Sequence, residues 1–197
     1  MRSRLPTSSI LEVIDRIVSK NQGIAEFWGT GGWAPLEAAG LLSRSRLDRQ
    51  VSLSRTLSLF VRPAATASTL DADGKLILGW TNLGSLVEGS LKWFLSVYFQ
   101  TYQADINALR DLGGDVRDPD GATLEPLRVF FQRSVWTSSD NWDTWVREVQ
   151  QRRNAIHSYK HRDIGTLDEL EASIRVYYDF IQELDGRVPY PDEVYRP

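Results

Sequence analysis

The sequence predicts an all-α protein, an up-and-down helical bundle with extra helices in its N-terminal part. Apolar residues recur at the three- and four-residue spacing of an α-helix along most of the chain. The stretches between these segments are rich in Gly, Pro, Asp and Ser, the residues of turns. With 197 residues, 42% hydrophobic and 25% charged, the chain suits one globular domain with ample material for a core.

Two helical segments are predicted in the N-terminal part. The first runs from Ser8 to Lys20, with Ser8 or Ser9 as the N-cap and Glu12 in the first turn. The second runs from Leu36 to Val61 as one or two helices, and its arginines are expected on a solvated face.

Two glycine-containing stretches are predicted as breaks. "GIAEFWGTGGWAP" lacks the Lys-Ser/Thr of a phosphate-binding loop, and its Trp28 and Trp33 either pack into the core or contact a partner. The segment from Asp71 to Gly74 resembles the start of a calcium loop, but the later oxygen ligands are absent. A turn or a small hairpin is therefore expected there.

A long helix is predicted from Asn82 to about Leu112, with Asn82 as its N-cap or Ser85 and Glu88 as a capping box. At about 30 residues it would be roughly 45 Å long, the spine of the bundle. Gly84 and Gly89 are unfavourable inside a helix, but they can allow a neighbouring helix to approach closely.

Three further helices follow a polar turn rich in Gly, Asp and Pro. They are predicted at Leu124–Val135, within Thr137–His161 with a cap at Ser139, Asp140 or Asn141, and at Thr166–Leu184 with Thr166 and Glu169 as a capping box. We expect residues 1–81 to form a helical extension packed on a bundle of residues 82–186, followed by a tail of residues 187–197.

Composition and charge exclude several function classes. The chain has no cysteine, so disulfides, thiolate metal sites and cysteine nucleophiles are excluded. A net charge of −3 argues against wholesale coating of nucleic acid. The N-terminal segment has no signal-peptide pattern, and no run reaches the roughly 18 apolar residues of a membrane span, so a cytoplasmic protein without a membrane partner is expected.

The most localised charge feature is the segment from Arg147 to Arg162, which contains both histidines of the chain. The segment contains only one acidic residue, Glu148. Its cationic and histidine residues are Arg147, Arg152, Arg153, His157, Lys160, His161 and Arg162. On a helical wheel, Arg153 falls within the apolar stripe, and Arg152 and His157 flank it on opposite sides. An arginine within an apolar stripe is costly unless it is paired or near solvent, so we expect a cleft or a subunit interface there.

This residue set meets the minimal needs of metal-free RNA cleavage. Histidine exchanges protons near neutral pH, and arginine binds phosphate and stabilises the charge that develops on it. RNA supplies its own nucleophile in the 2′-hydroxyl group. The alternative is an ordinary surface or core histidine beside an arginine, in a helical interaction domain without catalysis.

"RRNAIHSY", Arg152 to Tyr159, resembles the Arg-x4-His-x-Tyr form of the HEPN superfamily signature, and the predicted helix order from Asn82 onward is similar to HEPN domains. The resemblance implies a usually dimeric helical bundle, in which two motifs meet across the dimer to form a metal-independent endoribonuclease site. It implies Arg152 and His157 as catalytic residues and no metal or cofactor. It also implies a defence or toxin–antitoxin context, with an antitoxin or nucleotidyltransferase partner that could modify Tyr159.

One departure from the signature leaves the active arginine open. The residue after the signature arginine is commonly Asn, Asp or His, whereas here it is Arg153, with Asn154 displaced by one position. Either Arg152 or Arg153 then binds phosphate, with Asn154 and Tyr159 in supporting roles. Arg147, Lys160, His161 and Arg162 are expected to contact RNA, and the alternative function is a non-catalytic HEPN module that binds RNA, a nucleotide or a partner protein.

Overall fold

A computed structural model describes residues 7–30, 32, 34–61, 69–157, 159 and 161–190, and these residues form a helical bundle. Its α-helices are α1 Ile10–Ile24, α2 Leu36–Arg44, α3 Leu47–Val61, α4 Thr69–Val97, α5 Phe99–Ala104, α6 Leu124–Ser134, α7 Trp142–Arg153 and α8 Leu167–Arg187. One isolated antiparallel bridge joins Arg110 to Val116, and the described residues form no β-strand beyond this bridge. The predicted all-α class is confirmed.

Local capping signals place the starts of α1 and α8. Ser9 accepts a hydrogen bond from the backbone N–H of Glu12, and the Glu12 carboxylate accepts one from Ser9 N at 2.8 Å. Thr166 and Glu169 form the same reciprocal box at the start of α8. Each box satisfies backbone donors that a helix N-terminus leaves unpaired.

The sequence predicts a break in helical structure after α1, and this prediction is wrong for the first residues of the segment. The chain continues from α1 into a π-helix, Ala25–Thr30, before it reaches α2. Trp28 is buried in the core, and its indole N–H donates to the hydroxyl of Tyr190 at 3.3 Å. Burial of this indole holds the segment against the bundle, whereas Trp33 lies outside the described residues.

The predicted turn at Asp71–Gly74 and the predicted helix start at Asn82 are both wrong. Both positions lie inside α4, which begins at Thr69 and ends at Val97, short of the predicted Leu112. Asn82 is not a cap: its side-chain amide donates to the carbonyl of Leu53 and to the hydroxyl of Thr56 on α3. Apolar residues of α4 pack against the core from Leu76 onward, and this tertiary packing outweighs the weak turn propensity of Asp and Gly.

The predicted close approach at Gly84 and Gly89 is confirmed, because both glycines on α4 are crossed by a side chain from a neighbouring helix. A Cβ at Gly84 would lie 2.5 Å from the Cδ atom of Arg153 on α7. A Cβ at Gly89 would overlap the side-chain amide of Gln50 on α3. The missing side chains therefore let α7 and α3 seat directly on α4.

A polar network lies buried where α1, α3, α4 and α8 meet. The Tyr177 hydroxyl is 3.0 Å from the Ser90 hydroxyl and accepts from the Asn21 amide at 3.4 Å. Asn21 also donates to Ser54 at 2.8 Å, and Gln50 donates to the carbonyl of Leu86 at 2.6 Å. Burial of polar groups is costly unless they are hydrogen-bonded, and here they bond to one another.

The boundary predicted at residue 81 falls inside α4. One hydrophobic core contains Ile14 and Leu57 from before that position and Leu91 and Phe180 from after it. The predicted tail begins at Arg187, the last residue of α8, and residues 191–197 lie outside the described residues.

Candidate functional site

Arg152 lies at the end of α7 with its guanidinium group enclosed by two carboxylates and an indole. Its Nη1 and Nη2 atoms donate to the two carboxylate oxygens of Glu169 at 3.0 and 2.9 Å. Nη2 also lies 3.2 Å from the carboxylate of Glu148, one turn earlier on α7. The guanidinium carbon sits 4.9 Å from the centroid of the Trp80 ring on α4. We call this set, Arg152, Glu169, Glu148 and Trp80, the guanidinium clasp.

The loop before α8 packs against the guanidinium clasp. Trp80 donates its indole N–H to the carbonyl of Ile164 at 2.8 Å, which holds that loop against α4. Gly165 has a φ of +65°, and a Cβ there would overlap the guanidinium of Arg152. The glycine is therefore needed for both its backbone conformation and its lack of a side chain.

The clasp shifts the pKa values of its charged members. Hydrogen bonds from Arg152, followed by one from the backbone of Thr166, lower the pKa of Glu169 to about 2. The same hydrogen bonds to Glu169 raise the pKa of Arg152, against the opposing effect of its burial. Arg152 and Glu169 are therefore both charged at neutral pH. The guanidinium group donates two parallel hydrogen bonds to the carboxylate, which is the strong bidentate geometry.

Arg153 binds a carboxylate on α4, whereas Arg152 binds carboxylates on α7 and α8. Its Nη1 donates to Glu88 on α4 at 2.7 Å, and the other oxygen of Glu88 accepts from Lys92 at 2.8 Å. Burial alone would raise the pKa of Glu88, but hydrogen bonds from Lys92 and Arg153 outweigh it and lower that pKa. Arg153 thus shares one carboxylate with a second cation, whereas Arg152 has two carboxylates to itself.

His157 follows the helix rather than lying on it. α7 ends at Arg153, a 3-10 turn covers Asn154–Ile156, and His157 N donates to the carbonyl of Asn154. The wheel therefore does not apply beyond Arg153, and Ile156, the last residue of the 3-10 turn, is 42% exposed. Arg153 and His157 are four residues apart in sequence, but they are not neighbours on one face of an α-helix, because the helix ends at Arg153.

The motif places its histidine and its tyrosine on the surface. His157 is exposed, and Tyr159 is fully exposed, with its backbone N–H donating to the carbonyl of His157 at 2.7 Å. Asn154 is half-buried at the start of the 3-10 turn. An exposed imidazole on a short turn can approach a ligand or a second chain without rearrangement of the core.

The described residues among those expected to contact RNA lie on α7 and in the loop before α8. Arg147 is exposed on α7 and lies 3.7 Å from Asp143, while His161 is exposed in the loop before α8. Arg162 is half-buried, and its buried Nε has no hydrogen-bond partner among the described residues. Lys160 lies outside the described residues.

The surroundings are more acidic than the sequence segment suggests. Exposed carboxylates of α7, α8 and the loop between them lie near the motif in the chain; they are Glu148, Asp163, Asp168 and Glu169. Two of them neutralise Arg152, so the free positive charge of this face is smaller than a count of its arginines implies.

Sequence reasoning missed the partners that decide the roles of the two arginines. Glu148 is four residues before Arg152, a helical pair spacing that is readable from the sequence. Glu169 and Glu88 were assigned only as capping residues, and Trp80 was not singled out. Their contacts with Arg152 and Arg153 join residues 17 to 72 positions apart, and local patterns carry no signal at that range.

Comparisons with protein-family models, with curated proteins and with solved structures find no match to this chain. The described helices include none with the length and apolar character needed to cross a membrane. The fold and site define the chain as a helical-bundle protein with a paired arginine and an exposed histidine at the end of one helix.

Proposed function

We propose that this protein is a metal-independent endoribonuclease of HEPN type, with His157 as its proton-transfer residue. The observation that carries the proposal is the exposed imidazole on a short turn directly after a helix end that is fixed by the guanidinium clasp. A fixed helix end positions the turn, and an exposed imidazole can reach a ribose hydroxyl or a leaving oxygen. A homodimer that acts in defence or as a toxin in the cytoplasm, with an antitoxin or nucleotidyltransferase partner, belongs to the same proposal.

The two arginines take different roles in this proposal. Arg152 is a positioning residue, because its guanidinium group already forms a bidentate pair with Glu169 and an ion pair with Glu148. Arg153 is the phosphate ligand, because it shares its single carboxylate partner, Glu88, with Lys92. An arginine with an incompletely neutralised charge can exchange that partner for a phosphate at a smaller cost.

The reaction follows from the chemistry of RNA. Imidazole removes the proton of the 2′-hydroxyl, and the 2′-oxygen attacks the adjacent phosphorus while the 5′-oxygen bond breaks. A second proton donor, the histidine of another copy in a dimer, protonates the leaving 5′-oxygen. The products are a 2′,3′-cyclic phosphate and a 5′-hydroxyl, and arginine stabilises the charge on the non-bridging oxygens.

The test is RNA cleavage with EDTA present, comparing wild type with three variants. His157→Ala should abolish cleavage and change stability by less than about 0.5 kcal/mol, because the side chain is exposed. Arg153→Ala should lower the cleavage rate at saturating RNA, whereas Arg55→Ala, an exposed arginine on α3, should not. Cleavage that persists in His157→Ala would refute the proposal.

A second candidate function is a non-catalytic module that binds RNA, a nucleotide or a partner through the same face. The pairing of Arg152 with two carboxylates favours it, because the signature arginine is then committed to the fold. RNA binding by wild type without cleavage, weakened by Arg147→Ala and unaffected by His157→Ala, would support this candidate over the nuclease.

A further inference from the structure

Arg153 lies along a row of residues on α4. Gly84, Glu88 and Lys92 follow one another at four-residue spacing, so they share one side of this helix. The Cδ atom of Arg153 would be 2.5 Å from a Cβ at Gly84, and its Nη1 donates to Glu88 at 2.7 Å. The arginine side chain therefore runs along the row toward Lys92, whose Nζ donates to the other oxygen of Glu88 at 2.8 Å.

The Glu88 carboxylate is largely shielded from water. Its side chain is 17% exposed, and among the described residues its ion-pair partners are Lys92 and Arg153. Burial by itself raises the pKa of Glu88, but hydrogen bonds from the two cations lower it, and the net direction is downward. The carboxylate is therefore ionised at neutral pH, and its burial is favourable only while a cation is paired with it.

The same helix supports the turn that precedes the exposed histidine. The 3-10 turn Asn154–Ile156 follows Arg153 directly and packs against α4. Contacts with α4 therefore fix both Arg153 and the backbone that leads to His157.

The cost of moving Arg153 away from Glu88 depends on Lys92. When Arg153 exchanges Glu88 for a phosphate, Lys92 stays bound to the carboxylate, which remains paired. Without Lys92, the same exchange leaves a largely buried carboxylate without a cation. Loss of one partner from a buried ion pair is strongly unfavourable, because the remaining charge is uncompensated. Lys92 therefore determines how readily Arg153 can leave Glu88.

We propose that Lys92 is a positioning residue that makes Arg153 available to an RNA phosphate. It acts through Glu88 rather than through contact with RNA. Glu88 acts in the opposite direction, because it holds Arg153 on α4 when no RNA is bound. This role of Lys92 rests on the role proposed above for Arg153 as the phosphate ligand, and it applies to cleavage and to binding without cleavage alike.

The test is the affinity of the full chain for a fluorescein-labelled single-stranded 2′-O-methyl RNA, measured by fluorescence anisotropy with EDTA present. This RNA has no free 2′-hydroxyl group, so the measurement reports on binding without cleavage. Lys92→Met, which keeps a side chain of similar length without the charge, should raise Kd about tenfold, a change of about 1.4 kcal/mol. Lys92→Arg should bind like wild type, because a guanidinium group can pair with the same carboxylate.

Double variants separate an action through Glu88 from direct contact with RNA. Glu88→Gln should bind RNA at least as tightly as wild type, and its combination with Lys92→Met should bind within about twofold of Glu88→Gln alone. In an Arg153→Ala background, Lys92→Met should cause no further loss of affinity. Arg49→Ala is the matched control, because this exposed arginine lines the same cavity as Lys92 but forms no ion pair with Glu88.

Circular dichroism of each variant checks that the helices are retained. The combination of Lys92→Met with Glu88→Gln has no uncompensated charge in this row, so it serves as the decisive variant if Lys92→Met alone unfolds. In that case the combined variant should bind at least as tightly as wild type, and weaker binding would refute the role of Lys92.

Four results would overturn the proposal. They are binding by Lys92→Met like that of wild type, a combined variant that binds as weakly as Lys92→Met, equal losses in Lys92→Met and Arg49→Ala, and no effect of Arg153→Ala on affinity. The second result would mean that Lys92 contacts RNA directly, and the third that only the total charge matters. Failure of the proposed nuclease is seen separately, as cleavage of unmodified RNA that persists in His157→Ala, and it leaves the binding result unchanged.

Discussion

Removal of the Arg152 side chain tests whether the guanidinium clasp holds α7 to α8. Arg152→Ala deletes two hydrogen bonds to Glu169, the pair with Glu148 and the contact with the Trp80 ring. A charge-assisted hydrogen bond is worth about 1.5–3 kcal/mol when buried. The Glu169 side chain is 47% exposed, so we take about 1 kcal/mol for each of the two. The cation–π contact adds about 1 kcal/mol.

These terms predict that Arg152→Ala lowers the free energy of unfolding by about 3 kcal/mol. The assay is urea denaturation followed by circular dichroism at pH 7, with His157→Ala as the matched exposed variant from the same motif. Arg152→Lys should recover only part of the loss, because an ammonium group cannot form the bidentate fork onto Glu169.

A double-mutant cycle isolates the central pair. Glu169→Gln removes the charge but keeps a side chain that can close the capping box at Thr166. The coupling energy between Arg152→Ala and Glu169→Gln should be about 1–2 kcal/mol. A loss below about 1 kcal/mol in Arg152→Ala, or a coupling near zero, would refute the structural role of this arginine.

Three further predictions concern the same helices. The pKa of Glu169 is lowered to about 2 in the folded protein, so its ionised carboxylate stabilises the fold fully at pH values above the ordinary pKa of a carboxyl group. The free energy of unfolding should therefore fall as the pH drops from about 5 toward 2, and Glu169→Gln should flatten that part of the pH profile. Gly165→Ala should cost more than about 2 kcal/mol in urea unfolding, because it combines a positive φ with overlap of the guanidinium clasp. Gly84→Ala should lower the melting temperature, because its Cβ would displace Arg153, whereas Gly40→Ala in open space on α2 should keep or raise it; equal effects would contradict close packing.

The parts of the fold that the sequence predicted are those set by neighbours in the chain. The capping pairs Ser9–Glu12 and Thr166–Glu169 span three residues, and both helix starts lie within two residues of their predicted positions. Gly84 and Gly89 indicated close helix packing because a glycine inside a helix has a local cost that needs a reason.

The errors arise where distant packing decides the outcome. The turn predicted at Asp71–Gly74 lies in the first two turns of α4, a helix that packs against α3, α7 and α8. Helix α7 was predicted to continue toward His161, but the loop that follows is held at Ile164 by Trp80 and shaped by Gly165. Glu88 and Glu169, which bind Arg153 and Arg152 from other helices, have no periodic signature that links them to these arginines.

The double use of Glu169 has a consequence for how the molecule opens. One oxygen of this carboxylate caps α8 through the backbone N–H of Thr166, and both oxygens bind Arg152 at the end of α7. Helix ends ordinarily fray independently, at small free energies. Here the first turn of α8 cannot unwind without releasing α7, so the two ends form one cooperative unit. The backbone amides of Leu170 and of the last turn of α7 should therefore exchange with deuterium at a common rate, which Glu169→Ala would raise at both ends together.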